Sequence, residues 1–284
     1  MKKLTILTII SLFLSLQLLA QAGFQVSPGK LFFRQQAGQQ ASQNVIVMNS
    51  SAQRVVVRCS FSDWRRDSVG DKKYAPAGSM LQGNASYLKV IPEILTLEPG
   101  EKKSVEVIMN LPEGKDTSVT NAMLFITQVD EKKAADKGEK KEAFMKFLLE
   151  MGVHVYNEPP HLQFKNVDIE SVKFISKYDT TIEFNKKIQR LDTTIRLRQE
   201  IVGWIKNTGD LIAEGTVRYE LTEKATGKEL KLEAVPFNSL PNDRLIAIRP
   251  IPKNTPTGKY TLIMLVDIGM DLPLKVGEAE IVIK

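Results

Sequence analysis

The chain has 284 residues, with 39 Lys and Arg against 33 Asp and Glu, one Cys and two His. A formal charge of +6 is too small a basic surplus for a nucleic-acid binder, and without Lys2 and Lys3 the balance narrows to 37 against 33. A single Cys excludes an intrachain disulfide framework, so ordinary hydrophobic cores must supply the stability.

Residues 1–22 combine Lys2 and Lys3, an apolar run over 4–19 and Ala20-Gln-Ala22 before Gly23. That order predicts a secretory signal peptide with a small-x-small cleavage site. The run is short for a bilayer span and no later stretch is long and apolar enough, so an exported chain without stable membrane insertion is expected. The remaining length, roughly 260 residues, fits two domains of roughly 130.

The first domain opens with Phe24-Gln-Val-Ser27, a Pro28-Gly29 break and Lys30-Leu-Phe-Phe33; such a break lets a strand bend or change sheets. A polar turn over 35–43 precedes a strand at 44–48. Residues 54–64 then alternate, with Val55, Val57, Cys59 and Phe61 on one face and Val56, Arg58, Ser60 and Ser62 on the other, as a half-buried strand does. Cys59 on the apolar face reads as a small core residue. Residues 65–84, polar and rich in Gly, read as a surface connection. Strands follow at 87–91, 94–97, 104–109 and 121–129. The segment Gly100-Glu-Lys-Lys-Ser104 lacks the leading Gly of a phosphate loop and reads as a hairpin turn. A mixed charge run over 130–142 reads as a solvated loop.

The last stretch of this domain, 144–156, has Met145, Phe147, Leu149, Met151 and Val153 at period two. Lys146, Leu148, Glu150 and His154 take the other face. A bulky apolar row of this kind either serves the domain's own core or is offered at an edge to a chain that lacks a strand. Each backbone hydrogen bond so gained contributes about 0.5–1.5 kcal/mol net. Each large apolar side chain buried adds about 1.5–3 kcal/mol. Four such residues suffice to hold a partner that cannot fold alone.

Pro159-Pro160 reads as a stiff linker. Beyond it, strand patterns fall near 165–174, 181–184, 193–205, 215–222, 229–235, 244–249, 260–268 and 277–283, with turns at Asn207-Thr-Gly209, Ala225-Thr-Gly-Lys228 and Thr257-Gly258. The pattern throughout is all-β: a sandwich domain over 23–158 and a second over 159–284.

The chemistry of an enzyme is absent from the pattern. His154 and His161 stand on opposite sides of the linker, and no Gly-x-Ser-x-Gly elbow, zincin motif or complete phosphate loop occurs. No catalytic residue, cofactor or metal is expected. Asn49-Ser-Ser51 and Asn84-Ala-Ser86 match glycosylation acceptors, a triplet that arises often by chance.

The order of features resembles the periplasmic pilus-assembly chaperones of the PapD-like kind. The resemblance rests on Val26-Ser27 before Lys30-Leu-Phe-Phe33, on Val47-Met-Asn-Ser50, on Asp63-Trp64, on the charged loop, and on Val153-His-Val-Tyr156 running to Pro159. It covers residues 24–160 well; the second domain matches in size and strand pattern only. It implies two immunoglobulin-like sandwiches in an L shape, a periplasmic location, and capture of incomplete pilus or fibre subunits by donation of the last strand of the first domain. An outer-membrane usher is then a further candidate partner, and nucleic acid is not one.

Carried over by motif, the donor row falls on Met145, Phe147, Leu149 and Met151, and the carboxylate-binding pair on Lys30 and His154. The family has Lys where His154 stands, and an imidazole of pKa about 6.5 is only partly charged near neutrality. Glu158 also replaces a basic residue that the family carries before its linker proline. An unpaired apolar edge invites self-association as well. The alternative reading is a non-enzymatic structural or adhesive envelope protein in which the same strand is simply core.

Overall fold

A computed structural model describes residues 23–67, 70–129, 148–185, 190–269 and 272–284, and their side chains outside 183–192. The predicted signal segment, the charged loop, and Met145 and Phe147 of the donor row lie outside the described residues. Apart from one 3-10 turn at Ala85–Tyr87, the regular structure of the described residues is all strand, in two units that each form an immunoglobulin-like β-sandwich. The division falls between Pro160 and His161, and the short segment Arg66–Lys73 groups with the second unit. Among the described residues no helix is long and apolar enough to cross a membrane.

In the first unit the strands are β1 (Phe24–Ser27), β2 (Lys30–Phe33), β3 (Gln40–Asn49), β4 (Val55–Arg66), β5 (Lys72–Ala75), β6 (Leu88–Ile91), β7 (Ile94–Leu97), β8 (Lys102–Asn110), β9 (Thr120–Gln128) and β10 (Glu150–Asn157). One sheet runs β1-β3-β8-β6; the other runs β2-β10-β9-β4-β5, with β7 also on β4. The Pro28-Gly29 break is where the chain leaves the first sheet for the second, since β1 pairs with β3 and β2 with β10. Alternation decides which side chains meet between the layers: Val45, Val47, Val105 and Val107 from one, Val57, Cys59, Leu124 and Ile126 from the other. Cys59 is 5% exposed. Burial first, and the Glu93 carboxylate second, push its thiol up to about 11, which keeps it an unreactive core residue.

Three local expectations are corrected. The connection at 65–84 contains β5, an edge strand on β4 whose sequence Lys72-Lys-Tyr-Ala75 is too short and polar to show alternation. The turn at Gly100, with φ of +76°, is not a hairpin. It carries the chain from β7 on one sheet to β8 on the other, and a length of two sandwich strands cannot reveal which sheet each joins. The polar stretch 35–43 is turn only at its start, because β3 begins at Gln40, where exposed polar side chains conceal the ladder. The two glycosylation matches are excluded by burial: Asn49 and Asn84 are both fully enclosed, and the Asn49 amide donates to the Gln53 and Leu97 carbonyls.

In the second unit the strands are β11 (Val167–Asn185), β12 (Arg190–Asn207), β13 (Ala213–Glu223), β14 (Glu229–Lys231), β15 (Val235–Ser239), β16 (Arg244–Pro250), β17 (Gly258–Asp267) and β18 (Lys275–Ile283). A β11-β12-β16 sheet packs on a β14-β13-β17-β18 sheet, with β15 also on β13. The two strands expected near 165–174 and 181–184 are one continuous strand, β11; the polar residues between them are exposed yet paired along β12.

Between the layers the buried Tyr219 hydroxyl donates to the Ala247 carbonyl at 2.8 Å, and burial raises its pKa. Gly203 lies above it, where a Cβ would run into the Tyr219 hydroxyl and the Met264 side chain. Gly203→Ala is therefore expected to cost about 1–3 kcal/mol by overpacking. Calorimetric unfolding checks this, as a lowered transition for the second unit alone.

Candidate functional site: the open flank of β10

β10 holds two partners over only part of its length. Along β9 it is antiparallel from Glu150 opposite Thr127 to Asn157 opposite Thr120. Along β2 it is parallel, and that pairing begins only at His154, opposite Lys30. The His154 amide donates to Gly29 O at 3.0 Å and the Glu158 amide to Phe33 O at 2.9 Å, so even-numbered residues direct their backbone groups to the β2 side. The Leu149 carbonyl accepts from Gln128 N on the β9 side, as the alternation of a strand requires. It follows that the N–H and C=O of Glu150 and Gly152 face a flank on which, among the described residues, no strand lies.

The predicted donor row occupies the inner face of the same strand. Val153 is sealed in the core at 1% exposure, while Met151 and Leu149 are half-buried and pack against the core from its margin. Exposure thus rises from the sealed Val153 to the half-buried Met151 and Leu149. For the part that is described, these side chains lean on their own sandwich because β10 is still paired with β9 there.

Lys30 and His154, which the sequence separates by more than a hundred residues, are register partners on the outer face, at the point where the open flank ends. Phe32 and Tyr156 are the next pair on that face, with ring centroids 5.3 Å apart. The His154 ring stacks on Tyr156 at 5.5 Å and meets the Trp64 edge at 5.1 Å. The Tyr156 hydroxyl lies 2.9 Å from His154 Nδ1, a contact in which it donates when the ring proton sits on Nε2. Two aromatic neighbours, Trp64 and Tyr156, therefore fix the direction of the imidazole beside Lys30. Sequence reasoning found the two polar residues but not this support; the period-two spacing of His154 and Tyr156 was the available signal.

Asn157 clamps the far end. Its fully buried side chain accepts from Gln35 N at 2.8 Å and donates to Gln35 O at 3.2 Å, tying the chain beyond β2 to the end of β10. Among the described residues no three His, Cys, Asp or Glu side chains gather as a metal-ligand set.

No family model and no curated protein matches this sequence. Solved structures do resemble it in fold. The chaperone–tip adhesion subunit pre-assembly complex CsuC–CsuE of the archaic chaperone-usher Csu pili of Acinetobacter baumannii aligns at 12% identity over 90% of this chain and 98% of that chain, with a TM-score of 0.46. The class 5 fimbriae chaperone CfaA aligns at 12% identity over 91% and 98%, with a TM-score of 0.44. The E. coli chaperone DraB aligns at 12% identity over 93% and 97%, with a TM-score of 0.43. At these identities the likeness is one of fold.

Asn157→Ala leaves the Gln35 backbone groups without their buried partner and is expected to destabilise the first unit by about 1–3 kcal/mol. The check is a lowered urea midpoint at unchanged slope.

Proposed function

We propose that the protein is an exported, non-enzymatic chaperone of the periplasm that captures incomplete pilus or surface-fibre subunits by lending them the outer part of β10 and the residues before it. The observation that carries this reading is the flank of Glu150 and Gly152 on which, among the described residues, no strand lies, closed at its inner end by Lys30 and His154. A visiting strand run parallel to β10, as β2 is, pairs with the backbone groups of Glu150 and Gly152 and then meets the start of β2. Its terminal carboxylate arrives beside the Lys30 ammonium and the oriented His154 ring, which sets the register by a charge-assisted contact. The row Met145, Phe147, Leu149 and Met151 fills the groove of the subunit's missing strand. Leu149 and Met151, half-covered by their own sandwich, seat the row, and the outer two residues carry most of the new burial. An outer-membrane usher receives the loaded complex in this scheme. In the absence of a client the same flank invites a second copy.

One observation favours the rival reading, a structural or adhesive envelope protein: Val153, Met151 and Leu149 all turn toward their own core. The two readings part at Phe147. Phe147→Asp is expected to abolish co-purification of the client from the exported compartment, with the circular dichroism of the chain unchanged. A variant that still protects its client from proteolysis contradicts strand donation in this register and leaves the rival standing.

A further inference from the structure

In the second unit β11 and β12 pair along their whole length, but β16 joins β12 only from Glu200, opposite Pro250, to Lys206, opposite Arg244. Residues 176–185 and 190–199 therefore run on as a two-stranded arm. Register sets Tyr178 opposite Leu197, Thr180 opposite Ile195 and Ile182 opposite Thr193, and all six share one face. Nearer the sandwich that same face bears Val172, Phe174 and Ile201, which pack in the core. Among the described residues, the inner face of the sheet thus continues past the layer that covers it. Tyr178 is 73% exposed, Ile182 62%, Ile195 64% and Leu197 43%.

The opposite face of the arm looks as a solvated face should. It carries Lys177, Asp179, Arg196 and Arg198, and Arg198 reaches Asp179 at 3.6 Å and Glu200 at 2.6 Å. Charges of both signs, bridged to one another, present no one-signed field to a polyanion or an anionic lipid surface.

We propose that the uncovered face of this arm docks a second copy of the same chain, the two arms packing face to face so that each supplies the layer the other lacks. A twofold contact lays a patch on itself, so any charge within it meets its like. The six facing residues carry none. Taking about 200 Å² for an aromatic and about 100 Å² for a branched aliphatic side chain, the four apolar residues expose roughly 300 Å² per copy. With the threonines and backbone included, two copies bury on the order of 800–1,000 Å², the low end for a specific interface. That area fits a dimer that forms with rising concentration rather than a permanent one. The arm belongs to the second unit and shares no residue with the flank of β10, so this inference does not rest on strand donation.

Sedimentation velocity on the exported full-length chain over a concentration series tests it. The expected result is a monomer–dimer equilibrium whose midpoint moves at least tenfold upward in Ile195→Lys and again in Tyr178→Lys, both at exposed positions where folding is retained. Phe147→Asp, which removes any pairing through the flank of β10, should leave the arm-dependent association in place. A chain that stays monomeric throughout, or a dimer indifferent to both arm variants, overturns the proposal. So does a monomer that instead floats with anionic vesicles through the same residues.

Discussion

A strand's backbone groups must find partners, and the partial pairing of β10 is the constraint on which the rest of the account depends. β9 satisfies one side of β10 from end to end, whereas β2 satisfies the other only from His154 onward. The cause lies at Pro28-Gly29: the opening strand spends its first half on the opposite sheet, as β1, and crosses over too late to cover Glu150 and Gly152. A peptide chain left half-paired in this way is a template for another. The late crossover also decides which residue stands at the end of the gap, and that residue is Lys30.

The aromatic cluster gives this end of the gap a defined shape. Trp64 and Tyr156 are almost wholly buried and hold His154 from two sides, so the imidazole adds direction where Lys30 adds a flexible point charge. Asn157 then fixes the chain after β2 through a two-way bond to one backbone residue. The Asn157 contact joins residues distant in sequence and ties the chain after β2 to the end of β10. The two surfaces left uncovered among the described residues have a common origin. In each unit a strand outruns the neighbour that would complete its layer: β10 outruns β2, and the β11–β12 pair outruns β16.

Much of the fold was legible because sandwich strands expose one face and bury the other. Val55, Val57 and Cys59 announced β4 by alternation, and Pro28-Gly29 announced the change of sheet. What stayed hidden shares a physical reason. β5 is short and polar, and the middle of β11 is exposed on both faces, so neither leaves a hydrophobic period to read. Sheet membership after Gly100 is decided by packing between layers, which no local pattern encodes. At the site, Lys30 and His154 were named only through the resemblance to a family, and the ladder makes them neighbours. The support from Trp64 and Tyr156 was not deduced, because ring contacts depend on rotamers and register together. The sequence left open whether Leu149 and Met151 lean inward, because a period of two assigns residues to a face without telling how much of that face is covered.

The central claim is that Glu150 and Gly152 keep their backbone groups available to an incoming strand. Residue-resolved amide hydrogen exchange, on the chain alone and on the complex co-purified from the exported compartment, tests it most directly. In the free chain the Glu150 and Gly152 amides should exchange rapidly while those of Met151 and Val153, bonded toward β9, are protected; in the complex all four should be protected. Slow exchange at Gly152 without a partner, or unchanged fast exchange with one, would contradict the account.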